Sequence, residues 1–199
     1  MSRSPVQVRD ATPDDAEALL EIWADFSRRT YSERFPAERP EVEVAAAVAR
    51  IVADPDQRLL VGALDGKVIA AVHLMRAPMA PIYIEQAIHI THLHVLDEHR
   101  RHGIGHALIE ATVSWAEEKD TGYVLAAASV NSRDANRFMA RLGLAQVATV
   151  RGATVGTLRA KLPVEPAAAA RMGSRSHRSV GQVLAHRRSL RRSQSKSPD

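Results

Sequence analysis

The chain reads Val95-Leu96-Asp97-Glu98-His99-Arg100-Arg101-His102-Gly103-Ile104-Gly105-His106-Ala107-Leu108 where a predicted strand passes into a predicted helix. Gly103 and Gly105 lack a Cβ atom, so the backbone there can approach a ligand closely. The helix start adds unpaired N–H groups and the positive end of its dipole, and Arg100 and Arg101 add charge. This combination predicts a pyrophosphate-binding loop, with an ordinary basic turn as the alternative. It lacks the Gly-Lys-Ser/Thr of a Walker A loop and the third glycine of a dinucleotide-binding fingerprint.

Strands and helices alternate on both sides of this junction. Thr12-Pro13 followed by acidic residues is typical of a helix start, and the spacing after it predicts a buried face of Ala16, Leu19, Leu20, Trp23 and Phe26. Asp65-Gly66 between two apolar runs predicts a hairpin, because both central residues of that turn need positive φ. Strands are predicted over residues 6–9, 58–64, 67–74, 82–96, 123–130, 145–150 and 154–162, and helices after residue 12 and over 40–53, 103–120 and 134–142. This order predicts an α/β fold, a mixed sheet with helices on both faces.

The composition limits the class of protein. A length of 199 residues favours one folded domain, and the absence of cysteine excludes disulfides, thiolate zinc sites and cysteine nucleophiles. No apolar run approaches the roughly 18 residues that span a bilayer, so no membrane span is expected. Residues 1–10 lack the apolar segment of a secretory signal. We therefore expect a cytoplasmic protein.

The net charge of +4 is unevenly distributed along the chain. Residues 163–199 contain eight basic and two acidic side chains, so residues 1–162 are slightly acidic. We expect residues 1–162 to be the folded domain and residues 163–199 to be a disordered Arg/Ser-rich tail, because the tail has few large apolar side chains to bury. The alternative is that the tail makes weak contacts with nucleic acid or another anionic surface.

Two motifs resemble the GNAT superfamily of N-acetyltransferases. Arg100-x-x-Gly103-x-Gly105, after a strand and before an amphipathic helix, is similar to the acetyl-CoA motif of that family. The run Asn131-Ser132-Arg133-Asp134-Ala135-Asn136-Arg137-Phe138-Met139-Ala140-Arg141-Leu142-Gly143-Leu144 resembles its second signature, and the resemblance covers about residues 6–162. It implies a mostly antiparallel sheet with a splayed central strand pair. It also implies transfer of an acetyl group from acetyl-CoA, the cosubstrate, to a primary amine by direct attack in a ternary complex.

The resemblance also implies roles for individual residues. Leu93 and Val95 would pair with the pantetheine arm through their main chain, and the N–H of Leu93 would stabilise the thioester oxyanion. Asn131 matches a position that often contacts the pantetheine. The diphosphate would be held by Arg100, Arg101, His102, Gly103, Ile104, Gly105 and His106. Met139 stands where many members have a Tyr that protonates the leaving thiolate; since a thioether donates no proton, another group or water must act, or the thiolate leaves unprotonated.

The acceptor amine must lose a proton before it attacks, so a base is expected. Strand alternation puts His89 on the face of Leu93, and puts His92 and His94 on the other face. In the family the base often lies four residues before the oxyanion residue, which selects His89, with Glu85 as a second member of a relay. The alternative is that these histidines are structural residues packed under helices. The pair His92-x-His94 lacks an evident third ligand, so no metal is expected.

The sequence does not identify the acceptor. A small-molecule amine or drug, a protein N-terminal amine and a protein lysine all fit, and residues 27–35, with aromatic and charged side chains, are candidates for its groove. Two other classes stay open. One is a non-catalytic acetyl-CoA-binding or sensing module, favoured by Met139, and the other is a nucleic-acid-associated protein acting through its basic tail. A homodimer is also left open.

Overall fold

Five strands form a single sheet in the order β1-β2-β3-β4-β5 in a computed structural model, which describes residues 5–30 and 44–162. The strands are β1 (Gln7–Asp10), β2 (Gln57–Leu64), β3 (Lys67–Pro78), β4 (Gln86–Val95) and β5 (Tyr123–Ala126). Neighbouring strands are antiparallel except β4 and β5, which are parallel. The predicted mixed, mostly antiparallel sheet is confirmed.

Helices cover both faces of this sheet, as predicted. The helices of this part of the chain are α1 (Ala16–Thr30), α2 (Val44–Ala53), α3 (Ile104–Glu118) and α4 (Arg133–Arg141). A further helix, α5 (Val155–Lys161), belongs to a separate unit that begins at Arg151. Leu60 and Val61 are consecutive in β2 and therefore point to opposite faces. Leu60 packs in a cluster with Leu108 and Trp115 of α3, whereas Val61 packs with Leu19, Ile22 and Val48 of α1 and α2. No helix within the described ranges is long and apolar enough to cross a membrane.

Local signals in the sequence set the start of α1 and the β2–β3 turn. A short 3-10 turn, Pro13–Asp15, precedes α1, and the carboxylate of Asp15 accepts the Thr12 N–H at 2.8 Å. Asp65 and Gly66 have φ of 50° and 80°, which confirms the hairpin. The buried face of α1 is only partly as predicted, because, of the five predicted residues, Leu19 is buried and three others are half-buried. Leu20 is 54% exposed, and the fully buried Ile22 occupies the core instead.

The end of the described chain does not form the two predicted strands. Residues 145–150 are not in a strand, and α5 replaces the strand predicted over 154–162. The reason is local, because the Thr154 hydroxyl accepts the Thr157 N–H at 3.1 Å and so begins a helix. The chain divides into two compact units, one ending at Val150 and one beginning at Arg151. The boundary predicted at residue 162 stays a prediction, and the predicted tail lies outside the described residues.

The edge of β4 beside β5 opens towards the carboxyl end of the strands. The two strands pair from Ala87–Tyr123 to Ile90–Ala126, and β4 then runs on to Val95 without β5 beside it. The space beside residues 91–95 of β4, where this pairing has ended, is the gap. On its other side, β4 has one extra residue, because His73 pairs with His92 and Leu74 pairs with Ile90, which leaves Thr91 between the two pairs. The gap and this bulge determine which parts of β4 are available to a ligand.

Candidate active site

The β4–α3 junction forms a helix start with free backbone donors. Gly103, with φ of 82°, precedes α3 and supplies no side-chain cap. The Ala107 N–H donates to Gly103 O at 3.0 Å, so the first N–H groups of α3 have no acceptor within the helix. A Cβ built on Gly103 would have nothing within 4 Å. The start of α3 is therefore open to an anion.

Two other helix starts in the described chain are capped by side chains. The Ser132 hydroxyl accepts the Ala135 N–H at 3.3 Å at the start of α4, and Thr154 caps α5. The carboxylate of Asp15 lies at the entry to α1. Among the starts of α3, α4 and α5, that of α3 is the one whose donors are not used by a neighbouring side chain, which distinguishes it as a binding element.

The charged residues of the junction have two different positions. Arg100 turns back onto the strand, with Nε donating to Val95 O at 3.2 Å and Nη2 lying 3.0 Å from Asp97 Oδ1. It therefore holds the loop in shape. Arg101, with φ of 67°, and His102 are both exposed at the tip. Of the basic residues predicted to bind diphosphate, Arg101, His102 and His106 are exposed, whereas Arg100 is half-buried.

Gly105 has a packing role that the sequence did not reveal. A Cβ at this position would lie 3.3 Å from Cζ of Phe138, so the glycine lets α4 approach α3 closely. The ring of His106 meets the same phenylalanine edge to face, with centroids 5.1 Å apart. Helix–helix contact is thus one reason for glycine here, in addition to the predicted approach of a ligand.

The backbone of β4 faces the gap at the two residues proposed for it. The Leu96 N–H donates to Ile69 O at 3.0 Å, so the peptide groups of Leu96 and His94 point towards β3. Successive peptide groups of a strand point to opposite sides in the plane of the sheet. The N–H groups of Leu93 and Val95 therefore point into the gap, where β5 no longer runs beside β4.

The turn between β5 and α4 holds the position of Asn131. Its side chain is exposed, and nothing in the described chain fixes its direction. Asn136, which sequence reasoning missed, donates from Nδ2 to Ser129 O at 2.8 Å and to Ser132 O at 2.7 Å. The available signal was Ser132 followed four residues later by Asn136, because an amide side chain one helical turn after a turn residue can tie the turn to the helix.

Met139 occupies the position that the resemblance gives to the tyrosine that protonates the thiolate. Met139 is buried, with 9% of its surface exposed, and packs in the interior. Tyr123 pairs with Ala87 at the first residue of β5, at the opposite end from the gap. Tyr83 lies on the exposed loop before β4. Within the described ranges, no tyrosine is therefore placed to protonate a thiolate in the gap.

The predicted face of His89 is wrong. Leu93 packs against the same core cluster as Ile88 and Ile90, because the extra residue Thr91 reverses the alternation of β4. His89 therefore lies on the face opposite Leu93. Its Nε2 is buried and has no hydrogen-bond partner in the described chain.

The register also places His89 away from the gap. His89 is flanked by Met75 on β3 and by Leu125 on β5, so it lies where the two parallel strands are still paired. Glu85 precedes β4, with an exposed side chain. The relay of Glu85 and His89 is thus not assembled beside Leu93.

The predicted shared face of His92 and His94 is confirmed. Both rings contact Phe26 of α1, with centroids 5.2 and 5.7 Å away, and His94 Nε2 lies 2.7 Å from Asp25 Oδ2. Burial lowers the pKa of His92. Burial also lowers the pKa of His73, and the charge of His92 lowers it further by a smaller amount. Within residues 5–30 and 44–162, no three His, Asp or Glu side chains are grouped as ligands for a metal ion.

A cleft of about 260 Å³ lies between α1 and the residues that follow β4. It is lined by Glu21, Asp25, Arg28, Leu96, Asp97 and Glu98. Four carboxylates against one guanidinium repel phosphate groups, so the cleft does not suit a diphosphate. The start of α3 suits it better. The candidate acceptor residues 27–35 are described only as far as Thr30, and the rest lie outside the described residues.

A family of known proteins matches the part of the chain that contains this site. The family model described as the acetyltransferase (GNAT) family matches residues 17–144, which include the β4–α3 junction and α4. No curated protein matches the chain.

Solved structures share the fold. A transcriptional regulator from Bacillus halodurans C-125 is 22% identical, covering 76% of this chain and 99% of its own, with a TM-score of 0.61. A ribosomal-protein-alanine N-acetyltransferase from Brucella melitensis biovar Abortus 2308 is 18% identical over 75% and 99%, with a TM-score of 0.57. An aminoglycoside N-acetyltransferase in complex with CoA is 15% identical over 77% and 96%, with a TM-score of 0.60. At these identities the likeness is one of fold, and it leaves the acceptor unassigned.

Proposed function

Since this chain belongs to the acetyltransferase (GNAT) family and is an N-acetyltransferase, we propose that it moves the acetyl group of acetyl-CoA to a primary amine by direct attack in a ternary complex. The observation that supports this most is the uncapped start of α3 next to the open edge of β4. One element offers donors to the diphosphate and the other offers donors to the acyl arm.

The proposed cofactor path runs from the α3 start to the gap. The N–H groups at the start of α3, with Arg101 and His102, hold the diphosphate, because unpaired donors and a positive dipole end favour an anion. The N–H of Val95 pairs with the pantetheine arm. The carbonyl of Val95 already accepts a hydrogen bond from Arg100. The N–H of Leu93 donates to the thioester oxygen as negative charge develops there.

The proposed acceptor is a primary amine, carried either by a small molecule or by a protein. Proteins of similar structure include an aminoglycoside acetyltransferase and a ribosomal-protein-alanine acetyltransferase, which together represent both kinds of acceptor. Because Met139 is buried and cannot donate a proton, we propose that the thiolate leaves without help from that position.

Thiol release tests this proposal. The full-length protein is incubated with acetyl-CoA and, in parallel, with a polyamine, an aminoglycoside and peptides that present a lysine or a free N-terminus. We expect CoA thiol and an acetylated product of matching mass with at least one amine class. Binding of acetyl-CoA without turnover on any amine would instead favour the non-catalytic module that Met139 keeps open.

A further inference from the structure

A chain of hydrogen bonds crosses the α1 face of the sheet and ends at His92. The amide Nε2 of Gln57 donates to Asp54 Oδ2 at 2.7 Å, and Gln57 Oε1 lies 2.9 Å from His73 Nε2. His73 Nδ1 lies 2.8 Å from Thr91 Oγ1, and His92 Nδ1 lies 3.1 Å from the same oxygen. The chain thus joins the turn before β2 to the bulge of β4.

Asp54 sets the direction of every hydrogen in this chain. The Asp56 N–H and the Gln57 amide hold the pKa of the Asp54 carboxyl below its usual range, so the group is an ionised acceptor. The amide nitrogen of Gln57 must face it, which leaves Oε1 facing His73. His73 Nε2 must therefore carry a hydrogen.

Neutral His73 then accepts at Nδ1, and within residues 5–30 and 44–162 the hydrogen available there is that of the Thr91 hydroxyl. The carbonyl of His73 is a competing acceptor for this hydroxyl, but it is farther away, at 3.2 Å. With its hydrogen used, Thr91 Oγ1 can only accept from His92 Nδ1. His92 is thereby held as the Nδ1–H tautomer, with a lone pair on Nε2.

The surroundings keep both imidazoles neutral. Burial lowers the pKa of His73 and of His92, and the two rings lie 6.4 Å apart, so charge on one opposes charge on the other. Among the described residues, the ionisable groups beside His92 on this face are His94 on the same strand and Asp25 of α1, which pairs with His94. Asp25 lies 2.7 Å from His94 Nε2 and 3.0 Å from the guanidinium of Arg28.

His92 is also better placed than His89 for chemistry in the gap. It lies beyond the last β4–β5 pair and next to Leu93, whereas His89 is four residues away, about 13 Å along a strand. Its ring is half-buried, with Trp23 and Phe26 at its edges. Unlike His89 Nε2, His92 Nε2 is not a buried, unpartnered atom.

We propose that Nε2 of His92 is the base for the acceptor amine, and that Thr91, His73 and Gln57 are positioning residues that fix its tautomer. The proposal rests on the proposed function. His92 takes one proton from the acceptor ammonium and releases it to water. The freed amine lone pair forms the C–N bond, the C–S bond breaks with its electron pair on sulfur, and the second amine proton neutralises the thiolate. The products are the amide, CoA thiol and one proton in solution.

The tautomer is tested without any turnover. Imidazole ¹⁵N shifts of the full-length protein at neutral pH should show His92 with a protonated Nδ1 and a bare Nε2. Thr91→Val, which removes the hydroxyl, should lose this preference, and Thr91→Ser, which keeps it, should retain it. A wild-type His92 that carries its hydrogen on Nε2, or that is charged at neutral pH, would overturn the proposal whatever the activity.

The base role is tested by kcat/KM against pH with an amine that the wild type acetylates. The rate should fall as pH drops through the lowered pKa of His92. His92→Ala should lose that dependence and about hundredfold or more of the rate, with unchanged affinity for acetyl-CoA. Thr91→Val should lower kcat with KM nearly constant, and Thr91→Ser should restore it. Full activity in His92→Ala overturns the base role alone, whereas a wild type that acetylates no amine overturns the proposed function and the base role with it.

Discussion

The two sides of β4 differ in how their sites are built. The proposed diphosphate site at the start of α3, called the cradle, comes from one continuous stretch, residues 100–106. Its glycines and basic residues are visible in the sequence. The histidine chain on the α1 face is assembled from Asp54, Gln57, His73 and the bulge at Thr91, which no single stretch contains. A contiguous site can be predicted from local residue types, whereas an assembled one depends on strand register.

The largest expected effect is on the cradle. Gly103→Glu should raise the KM for acetyl-CoA about hundredfold or more, because a carboxylate near the diphosphate costs about 4 kcal/mol at ~4 Å in an effective dielectric of about 20. The measurement is the initial rate of thiol release at varied acetyl-CoA.

Gly66→Glu is the matched control. Gly66 has φ of 80°, nothing lies within 4 Å of a Cβ built on it, and it belongs to the β2–β3 turn. The control adds the same charge and has the same backbone strain as Gly103→Glu. Because it differs in position and is not part of the start of α3, it should leave the KM for acetyl-CoA unchanged. Equal KM values in the two variants would exclude the α3 start as the diphosphate site.

The next effect compares His89 and His92, which lie on the two sides of the bulge at Thr91. His89→Ala should lower kcat less than tenfold, because His89 Nε2 is buried, unpartnered and beside the paired part of β5. His92→Ala should lower it about hundredfold or more. Steady-state rates of both variants, with unfolding curves to verify folding, make the comparison. The reverse ranking would return the base role to His89.

A smaller effect concerns the anchoring of α1, which packs on the histidine side. Asp15 is buried and pairs with Arg9 at 2.7 Å, and this lowers its pKa to about 2 from 3.8. The group therefore stabilises the fold above pH 4, and this contribution is lost as pH falls from about 4 to 2. Asp15→Asn should lower the free energy of unfolding at pH 7 by roughly 2 kcal/mol.

Denaturant unfolding at pH 7 and pH 3 measures this contribution, with the exposed Asp14→Asn as the control. Asp14→Asn should leave the free energy of unfolding nearly unchanged at both values. An Asp15→Asn variant as stable as the wild type at pH 7 would show that the Arg9 pair contributes nothing to α1.

The smallest effect is expected at Gly105. Gly105→Ala places a Cβ 3.3 Å from Phe138 Cζ, and this should lower stability by about 1 kcal/mol. Adding Phe138→Leu should recover part of the loss, since the shorter side chain gives the Cβ room. Thermal unfolding of the single and double variants measures it. No recovery would mean that close packing of α3 on α4 is not why glycine is needed.

Local chemistry explains which parts of the fold were predictable. The hairpin at Asp65-Gly66 and the helix start at Thr12 depend on single turns, and both were predicted. Leu20 and Ile22 both fit an apolar helical pattern, so only packing decides that Ile22 is inside. The last predicted strand fails because the Thr154 cap outweighs its apolar spacing.

The site was predictable to a similar extent. The N–H groups of Leu93 and Val95 point away from β3, and this direction follows from one strand and its neighbour. Their pairing with the pantetheine arm stays a prediction. The side-chain faces before Thr91 differ from the prediction, since a bulge moves every residue on one side of it to the opposite face. Thr91, His73 and Gln57 gave no sequence signal for a shared chain.

The most direct test of the central claim is a calorimetric titration of acetyl-CoA into the full-length wild-type protein. The account predicts saturable binding in the micromolar range that His92→Ala leaves unchanged and Gly103→Glu abolishes. Absence of binding to the wild type would contradict it, because the open start of α3 would then not be a cofactor site.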